Sequence, residues 1–413
     1  MKTIYSIIVR AYGLAVRIAG LFGNSKANHW IEGRRNWYSI LENKLAQNNK
    51  PVIWIHASSA GEFEQGRTVI VGLRKANPDH FFLLTFFSPS GFIEHNDYEY
   101  VDAVNYLPLD SKLNASLFIT AVNPKIAVFI KYEFWYFYFE ALAERDIPLF
   151  MVSAKLTKNH LFFKWYGGSY RKVLQLPTLF FAQDNSTKLL LKELEVENII
   201  VTGDTRIDRV LEVEQAGKSN KIVEWFLKKE KAVIVGSSWS VEEKIITKWL
   251  NLSSYSGKVI IAPHEIDEHH ITDFSNSLKV KSIRYTQADT QRTEPEAQVL
   301  IIDCIGVLRE IYSYGSWALI GGGFSDGIHN ILEPTVFGLP VVFGPNYKKF
   351  VEAVDLIDQG GAISIKNYAE FNEQSKKLRN FEVLTKRSKI CKTYIENNHG
   401  ASAKVIHQIN QYL

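Results

Sequence analysis

Short apolar runs recur along the chain, each broken by small or polar residues. They fall at 52–57 (VIWIHA), 81–86, 103–107, 126–130, 149–153, 179–182 and 199–202, and again at 232–235, 259–262, 299–302, 317–320 and 341–343. Runs without polar alternation read as strands buried on both faces, and the intervening segments are long enough for crossover helices. The pattern predicts an α/β chain of doubly wound, mainly parallel sheets.

The two series are separated by a polar, charged stretch, Glu212 to Asn220, which reads as a linker. With 413 residues, 46% hydrophobic and 22% charged, the chain is long enough for two such domains. The boundaries expected are 1–30 for an N-terminal helix and lead-in, and 31–211 for a first Rossmann-like domain. Residues 212–220 are then the linker, and 221–413 a second Rossmann-like domain whose last helix is free to cross back to the first.

Residues 3–22, TIYSIIVRAYGLAVRIAGLF, are apolar apart from Arg10 and Arg17. Their spacing of seven puts both on one helical face, expected opposite Ile7, Ile8, Leu14 and Ile18. A spanning helix would bury two arginines, so the expectation is a helix lying in a membrane interface. An amphipathic helix packed on the first domain fits the same pattern. A signal peptide is disfavoured by the interrupted apolar region and the lack of a small-residue cleavage site. Residues 1–50 carry eight Lys or Arg against Glu32 and Glu42, an excess that suits an anionic lipid surface. Residues 154–172 mix Lys155, Lys158, Lys164, Arg171 and Lys172 with aromatics, as an acidic lipid partner or a plain solvated helix would both allow.

Candidate chemistry gathers where strands meet turns. After Trp317 to Ile320 come Gly321, Gly322 and Gly323, which let backbone approach a ligand closely. Asn330 reads as an N-cap with Glu333 completing a capping box, and Pro334 is tolerated only near a helix start. Free N–H groups there would favour a phosphate, with Glu333 placed on a sugar diol. The second such turn follows VIWIHA: Ser58, Ser59, Ala60, Gly61 and Glu62 open a helix, and Glu62 is placed either as a general base or as a dipole-complementing charge. Lys131 and Glu133 stand after the 126–130 strand, amid aromatics that fit a core equally well.

Other readings fall away. Neither G-x-G-x-x-G nor a P-loop fits the Gly321 turn. GEFEQGRT (61–68) has Arg67 where a P-loop has lysine, and two glutamates in the supposed cradle. His264 to His270 (HEIDEHH) lacks the H-E-x-x-H spacing, so no metal is expected. The net charge of +4 gives no support for nucleic-acid binding, and Cys304 and Cys391 suggest reduced thiols in a cytosolic compartment.

Several stretches together resemble one family, the bacterial 3-deoxy-D-manno-octulosonic acid (Kdo) transferases of the glycosyltransferase-B fold. They are WIHASSAGE (54–62), YEFW (132–135), SAKL (153–156), VTGDTRID (201–208), GSSWSVEE (236–243) and GGGFSDGIHNILEPTVFGLPVVFGP (321–345). The resemblance implies two Rossmann-like domains facing across a cleft, the first binding an acceptor and the second a CMP-sugar. It implies a metal-independent, cofactor-free, inverting enzyme on the cytoplasmic face of the inner membrane, moving Kdo from CMP-Kdo to the lipid A precursor lipid IVA in lipopolysaccharide core biosynthesis. Glu62 falls on the family's proposed base, and Gly327, Asn330 and Glu333 on its CMP-binding element. CMP contacts are also expected at Ser237, Ser238, Pro263, His264, Gly322, Gly323 and His329. Kdo or acceptor contacts are expected at Ser59, Gly61, Lys131, Glu133, Lys155 and Arg206. The chain departs from the family in having Pro263-His264-Glu265 in place of a Pro-Arg-His-Pro run, Trp239 for a histidine and Lys155 for an arginine. Two rivals stand beside this reading: a UDP-sugar transferase or epimerase of the same fold, and a non-catalytic membrane-surface binding protein.

Overall fold

The computed structural model describes residues 2–131, 133–168, 170–217, 219–288 and 296–413; Tyr132 of the YEFW segment lies outside them. They form two compact units, one made of residues up to Arg209 with His399–Leu413, the other of Val210–Asn398.

The first unit is built on β1 (Val52–Ala57), β2 (Phe81–Phe86), β3 (Ala103–Tyr106), β4 (Pro124–Ile130), β5 (Leu149–Ala154), β6 (Leu179–Ala182) and β7 (Ile199–Val201). All are parallel, in the order β3-β2-β1-β4-β5-β6-β7. Alternate residues of β1 serve two cores: Val52 and Trp54 pack with Phe118 and Phe129 on one face, Ile53 and Ile55 with Phe63 and Val128 on the other. That two-sided burial is why the run lacks polar alternation.

The second unit repeats the design with β8 (Ala232–Ser238), β9 (Val259–Pro263), β10 (Ser282–Arg284), β11 (Val299–Ile301), β12 (Gly315–Ile320), β13 (Val341–Phe343) and β14 (Ala362–Ser364). Its order is β10-β11-β9-β8-β12-β13-β14, again parallel. Every run expected from the pattern is a strand; β10 and β14 are additional. Both sheets reverse direction at one point, between β1 and β4 in the first and between β8 and β12 in the second. Crevices for ligands open at the carboxyl ends of strands at such reversals.

Residues 212–216 continue the helix Thr205–Ala216, and a second helix spans Lys221–Leu227, so little of the expected linker is irregular. Charged residues there mark an exposed helix face. The C-terminal helix Ala401–Ile409 belongs to the first unit. The carboxylate of Asp208 accepts the N–H groups of Gly400 and Ser402 at its start (2.5 and 2.6 Å), and Ser402 bonds Thr68 (2.6 Å).

The first helix, α1 (Lys2–Leu21), is docked along Tyr5, Val9 and Gly13. Ile4, Ile7, Leu14, Ile18 and Leu21 are exposed on the far side, 46–87%. The helical period places Arg10 and Arg17 on a flank between the two faces, not opposite the isoleucines as expected. The face opposite the apolar stripe is the docked one.

Candidate functional site

In the first unit, Ser58 and Ser59 follow β1 and the helix Ala60–Ala76 begins at once, with Ser59 as an extended N-cap. Glu62, in the first turn, is buried, and its Oε2 accepts the Ser58 N–H at 2.9 Å. Free N–H groups at a helix start favour that negative charge. Glu133 follows β4, the neighbour of β1, and its carboxyl hydrogen-bonds that of Glu62. Burial first, then the charge of Glu62, pushes Glu133 up to about 8. Burial also raises Glu62, opposed by the charge of Lys131 and by bonds from Glu133, Ser58 and Ser59. Two close carboxyls in a dry site cannot both ionise, so Glu133 keeps the proton and Glu62 carries the charge.

Lys131, just after β4, has left-handed backbone at φ 71°, and Ser153 near the end of β5 is left-handed at φ 55°. Non-glycine residues adopt this conformation only where neighbours enforce it. Ser153 Oγ bonds Thr205 Oγ1 at 2.7 Å, and Thr205 in turn bonds the carbonyl of Gln65. The SAKL and VTGDTRID stretches thus hold the helix that carries Glu62. Lys155 pairs with Asp184, the N-cap of helix Asn185–Lys192. Burial raises that carboxyl, but bonds from Lys155, Ser186 and Thr187 outweigh it and hold Asp184 at about 2. Arg206 grips Asp204 through Nε and one terminal nitrogen. At Gly61 the space a Cβ would take is open.

A hollow of about 400 Å³ opens beside the carboxyl pair, lined by Ser58, Phe87, Glu133 and Trp135 and, from α1, by Tyr5, Ile8 and Tyr12. Tyr5 anchors α1 there: its hydroxyl donates to Asp110 at 2.5 Å, and its ring stacks on Tyr170 at 5.8 Å. Asp110, fully buried, also accepts N–H groups of Phe137 and Tyr138 at the start of helix Tyr136–Ala143 (both 3.2 Å).

In the second unit the candidate residues gather at the β8/β12 reversal. Ser237, near the end of β8, is left-handed at φ 51°, and Gly322 after β12 has φ 85°. A Cβ on Gly321 would lie 1.9 Å from the Ser237 carbonyl oxygen, and one on Gly323 would lie 2.5 Å from Gly344 N. Both glycines therefore let backbone pass backbone as well as leave a surface bare. The helix Leu332–Val336 is one turn long, and Asn330 Oδ1 accepts the Leu332 N–H at 3.1 Å. The expected capping box with Asn330 as N-cap is not formed: the residue capping this helix is Ile331, Asn330 bonds the N–H two positions on, and Glu333 pairs with Arg309 at 2.9 Å.

Around that turn three rings stack: Trp239 on His264 at 4.2 Å, and His264 on His329 at 4.8 Å. The Trp239 indole N–H donates to His329 Nε2 at 2.9 Å, which fixes His329 neutral with its proton on Nδ1. Burial, then the charge of His264, lowers the His329 pKa in the same direction. Glu242, in the first turn of helix Ser240–Leu252, accepts the Trp239 N–H at 3.2 Å and lies beside the N–H groups of Gly322 and Phe324. Ser238 Oγ donates to Glu243, which also meets His270 at 3.1 Å. Pro263 ends β9, and the His264 N–H bonds the Ser238 carbonyl at 2.9 Å.

Sequence reasoning missed Asp110, Tyr5 and Glu242. Each lies far in sequence from the group it holds, apart from Glu242, where E-E at 242–243 after the Gly236 turn was a readable capping signal.

The fold is shared with nucleotide-sugar enzymes. A UDP-GlcNAc 2-epimerase from Neisseria meningitidis bound to UDP-GlcNAc is similar at 16% identity and TM-score 0.63, covering 87% of this chain and 100% of that one. The calicheamicin glycosyltransferase CalG4 is similar at 11% and 0.55, covering 89% and 99%. The chain is thus an α/β protein of the glycosyltransferase-B fold. Residues 31–209 match the family model described as 3-deoxy-D-manno-octulosonic-acid transferase (kdotransferase). A 3-deoxy-D-manno-octulosonic acid transferase of Aquifex aeolicus is 26% identical over 331 residues, 78% of this chain and 85% of that protein. One of Rickettsia typhi is 25% identical over 410 residues, 94% and 86%. By that domain and these relatives, the chain is similar to the Kdo transferases.

Proposed function

We propose that this chain transfers Kdo from CMP-Kdo to the sugar hydroxyl of a lipid A precursor with inversion, without metal or cofactor. The observation that carries the reading is the Glu62–Glu133 pair at the β1/β4 reversal, beside a hollow walled in part by α1. Ionised Glu62 takes the proton of the acceptor hydroxyl as that oxygen bonds the anomeric carbon of Kdo. The bond from that carbon to the CMP phosphate oxygen breaks, and its electrons leave with CMP. Lys131, whose charge already acts on Glu62, is near enough to that carboxylate to attract the Kdo carboxylate as well.

Donor contacts are assigned to the second unit. Ser237, the Gly322 turn, His329 through its Nδ1–H, and Asn330 supply donors to the leaving phosphate. The stack of Trp239 and His264 offers a flat apolar face for the cytosine. The exposed apolar stripe of α1 is assigned to the interface of the inner membrane on its cytoplasmic side, flanked by Arg10 and Arg17. The test is Glu62→Gln. With CMP-Kdo and lipid acceptor followed by mass spectrometry, the variant should lose transfer by a factor of 100 or more, roughly the value of a general base, while CMP-Kdo binding persists. Turnover near that of the unaltered enzyme refutes the base assignment.

A further inference from the structure

A second hollow lies on the other flank of α1, and the reaction as derived leaves it without a task. About 650 Å³ in volume, it is lined by Arg10, Arg17, Arg34 and Arg35, with Trp30 and Leu14 among its apolar walls and no carboxylate among the described residues of its lining. By the helical period, Tyr5, Ile8 and Tyr12 face the hollow beside Glu133, whereas Arg10, Leu14 and Arg17 face this one, well over 100° round the same helix. Leu109 lines both.

Arg34 is half-buried and makes no ion pair among the described residues. Its bonds run to the backbone carbonyls of Leu107 (3.0 Å), Trp30 (3.1 Å) and Phe87 (2.6 Å), and its guanidinium lies over the rings of Trp30 (4.0 Å) and Phe87 (4.6 Å). Burial pulls its pKa down to about 9. Arg10, Arg17 and Arg35 make no ion pair among the described residues. Four guanidinium groups around one hollow repel each other, so the arrangement favours an anion of more than one charge. Guanidinium forks match phosphate oxygens in geometry as well as in sign.

We propose that this hollow is an anion subsite for a phosphate monoester on the sugar headgroup of the lipid acceptor, an inference that rests on the transferase reading above. The hollow is roomier than a lone phosphate needs and admits the sugar that bears it. Its position fits a headgroup that presents a hydroxyl to the carboxyl pair on one flank of α1 and a phosphate on the other. The acyl chains then follow the exposed stripe of Ile7, Leu14 and Ile18.

The variant to test is Arg10→Ala combined with Arg17→Ala in the full chain, since both lie on the exposed flank and hold no other element in place. Transfer from CMP-Kdo is followed in detergent micelles, with the lipid acceptor intact and after phosphatase treatment. The variant should raise the KM for the intact acceptor at least tenfold with kcat retained, and should match the unaltered enzyme on the dephosphorylated acceptor. Millimolar inorganic phosphate should raise that KM in the unaltered enzyme alone. An equal loss on both acceptors overturns the proposal. So does an unchanged KM accompanied by weaker binding to phosphatidylglycerol vesicles, which assigns the arginines to the bilayer surface. If neither protein turns over, the transferase reading has failed. Direct binding of intact against dephosphorylated acceptor to the two proteins then decides the subsite by itself, with no difference between them refuting it.

Discussion

The carboxyl groups of Glu62 and Glu133 share a hydrogen bond although they lie 71 positions apart in sequence, brought together because β1 and β4 are neighbours in the sheet. One proton serves the pair. Below about pH 8 it sits on Glu133, which donates to ionised Glu62; above that, a second charge enters the dry site and repels the first. We expect kcat/KM to fall on the alkaline side near pH 8. In Glu133→Gln, which keeps a donor to Glu62 without a titrating group, that alkaline fall should vanish while the acid limb set by Glu62 remains. A pH–rate profile of both proteins checks this.

Asp110 has the opposite relation to stability from an ordinary surface carboxylate. Burial raises it from 3.8 to about 7, against the bonds from Tyr5 and the Phe137 and Tyr138 N–H groups. The folded state thus binds the proton more tightly than the unfolded chain. Its contribution is full below about pH 4 and is lost as pH rises toward about 7, a change on the order of 4 kcal/mol. In Asp110→Asn this pH-dependent loss should disappear, because the amide oxygen still accepts. Urea unfolding at pH 5 and pH 8 gives the comparison.

Two glycines separate packing from ligand access. Gly321→Ala forces a Cβ to 1.9 Å from a backbone oxygen and should destabilise the second unit by about 1–3 kcal/mol or more. At Gly61, in the first turn of a helix, the Cβ meets nothing within 4 Å, so Gly61→Ala should hold stability or add about 0.5–1 kcal/mol. A sharp loss of transfer in a stable Gly61→Ala protein identifies that open space as substrate volume. Thermal melts and the transfer assay together read both variants.

Trp239 fixes the tautomer of His329 through one indole N–H. Trp239→Phe keeps a ring for stacking and removes the donor, so the neutral imidazole loses a stabilising bond and the His329 pKa should rise toward the ordinary histidine value. Nitrogen chemical shifts of the ring follow this. CMP binding should weaken severalfold.

The sequence pattern revealed every long strand because two-sided burial leaves unbroken apolar runs. It did not reveal β10, Ser282–Arg284, or β14, Ala362–Ser364, which are three residues each at sheet edges and carry polar side chains. The Glu212–Asn220 stretch misled because a charged, exposed helix and a linker share a composition. Glu62 was legible from turn chemistry and Glu133 from its place after a strand, whereas Asn330 was placed at the right turn but as the N-cap, a position Ile331 takes. The pairing of Glu62 with Glu133, the engagement of Lys155 by Asp184 and of Glu333 by Arg309, and the anchoring of α1 by Asp110 all depend on contacts that no local window contains.

The docking of α1 along Tyr5, Val9 and Gly13 holds its exposed apolar stripe, on the opposite face, in one orientation on the first unit and leaves it no tether to swing on. On the proposed seating, a molecule resting on lipid through Ile7, Leu14 and Ile18 would not roll. Under that proposal its acidic centre would stand at one altitude over the bilayer, substrate would be gathered by lateral diffusion within a plane, and selectivity would include a ruler for how far a reacting hydroxyl rises above the acyl layer.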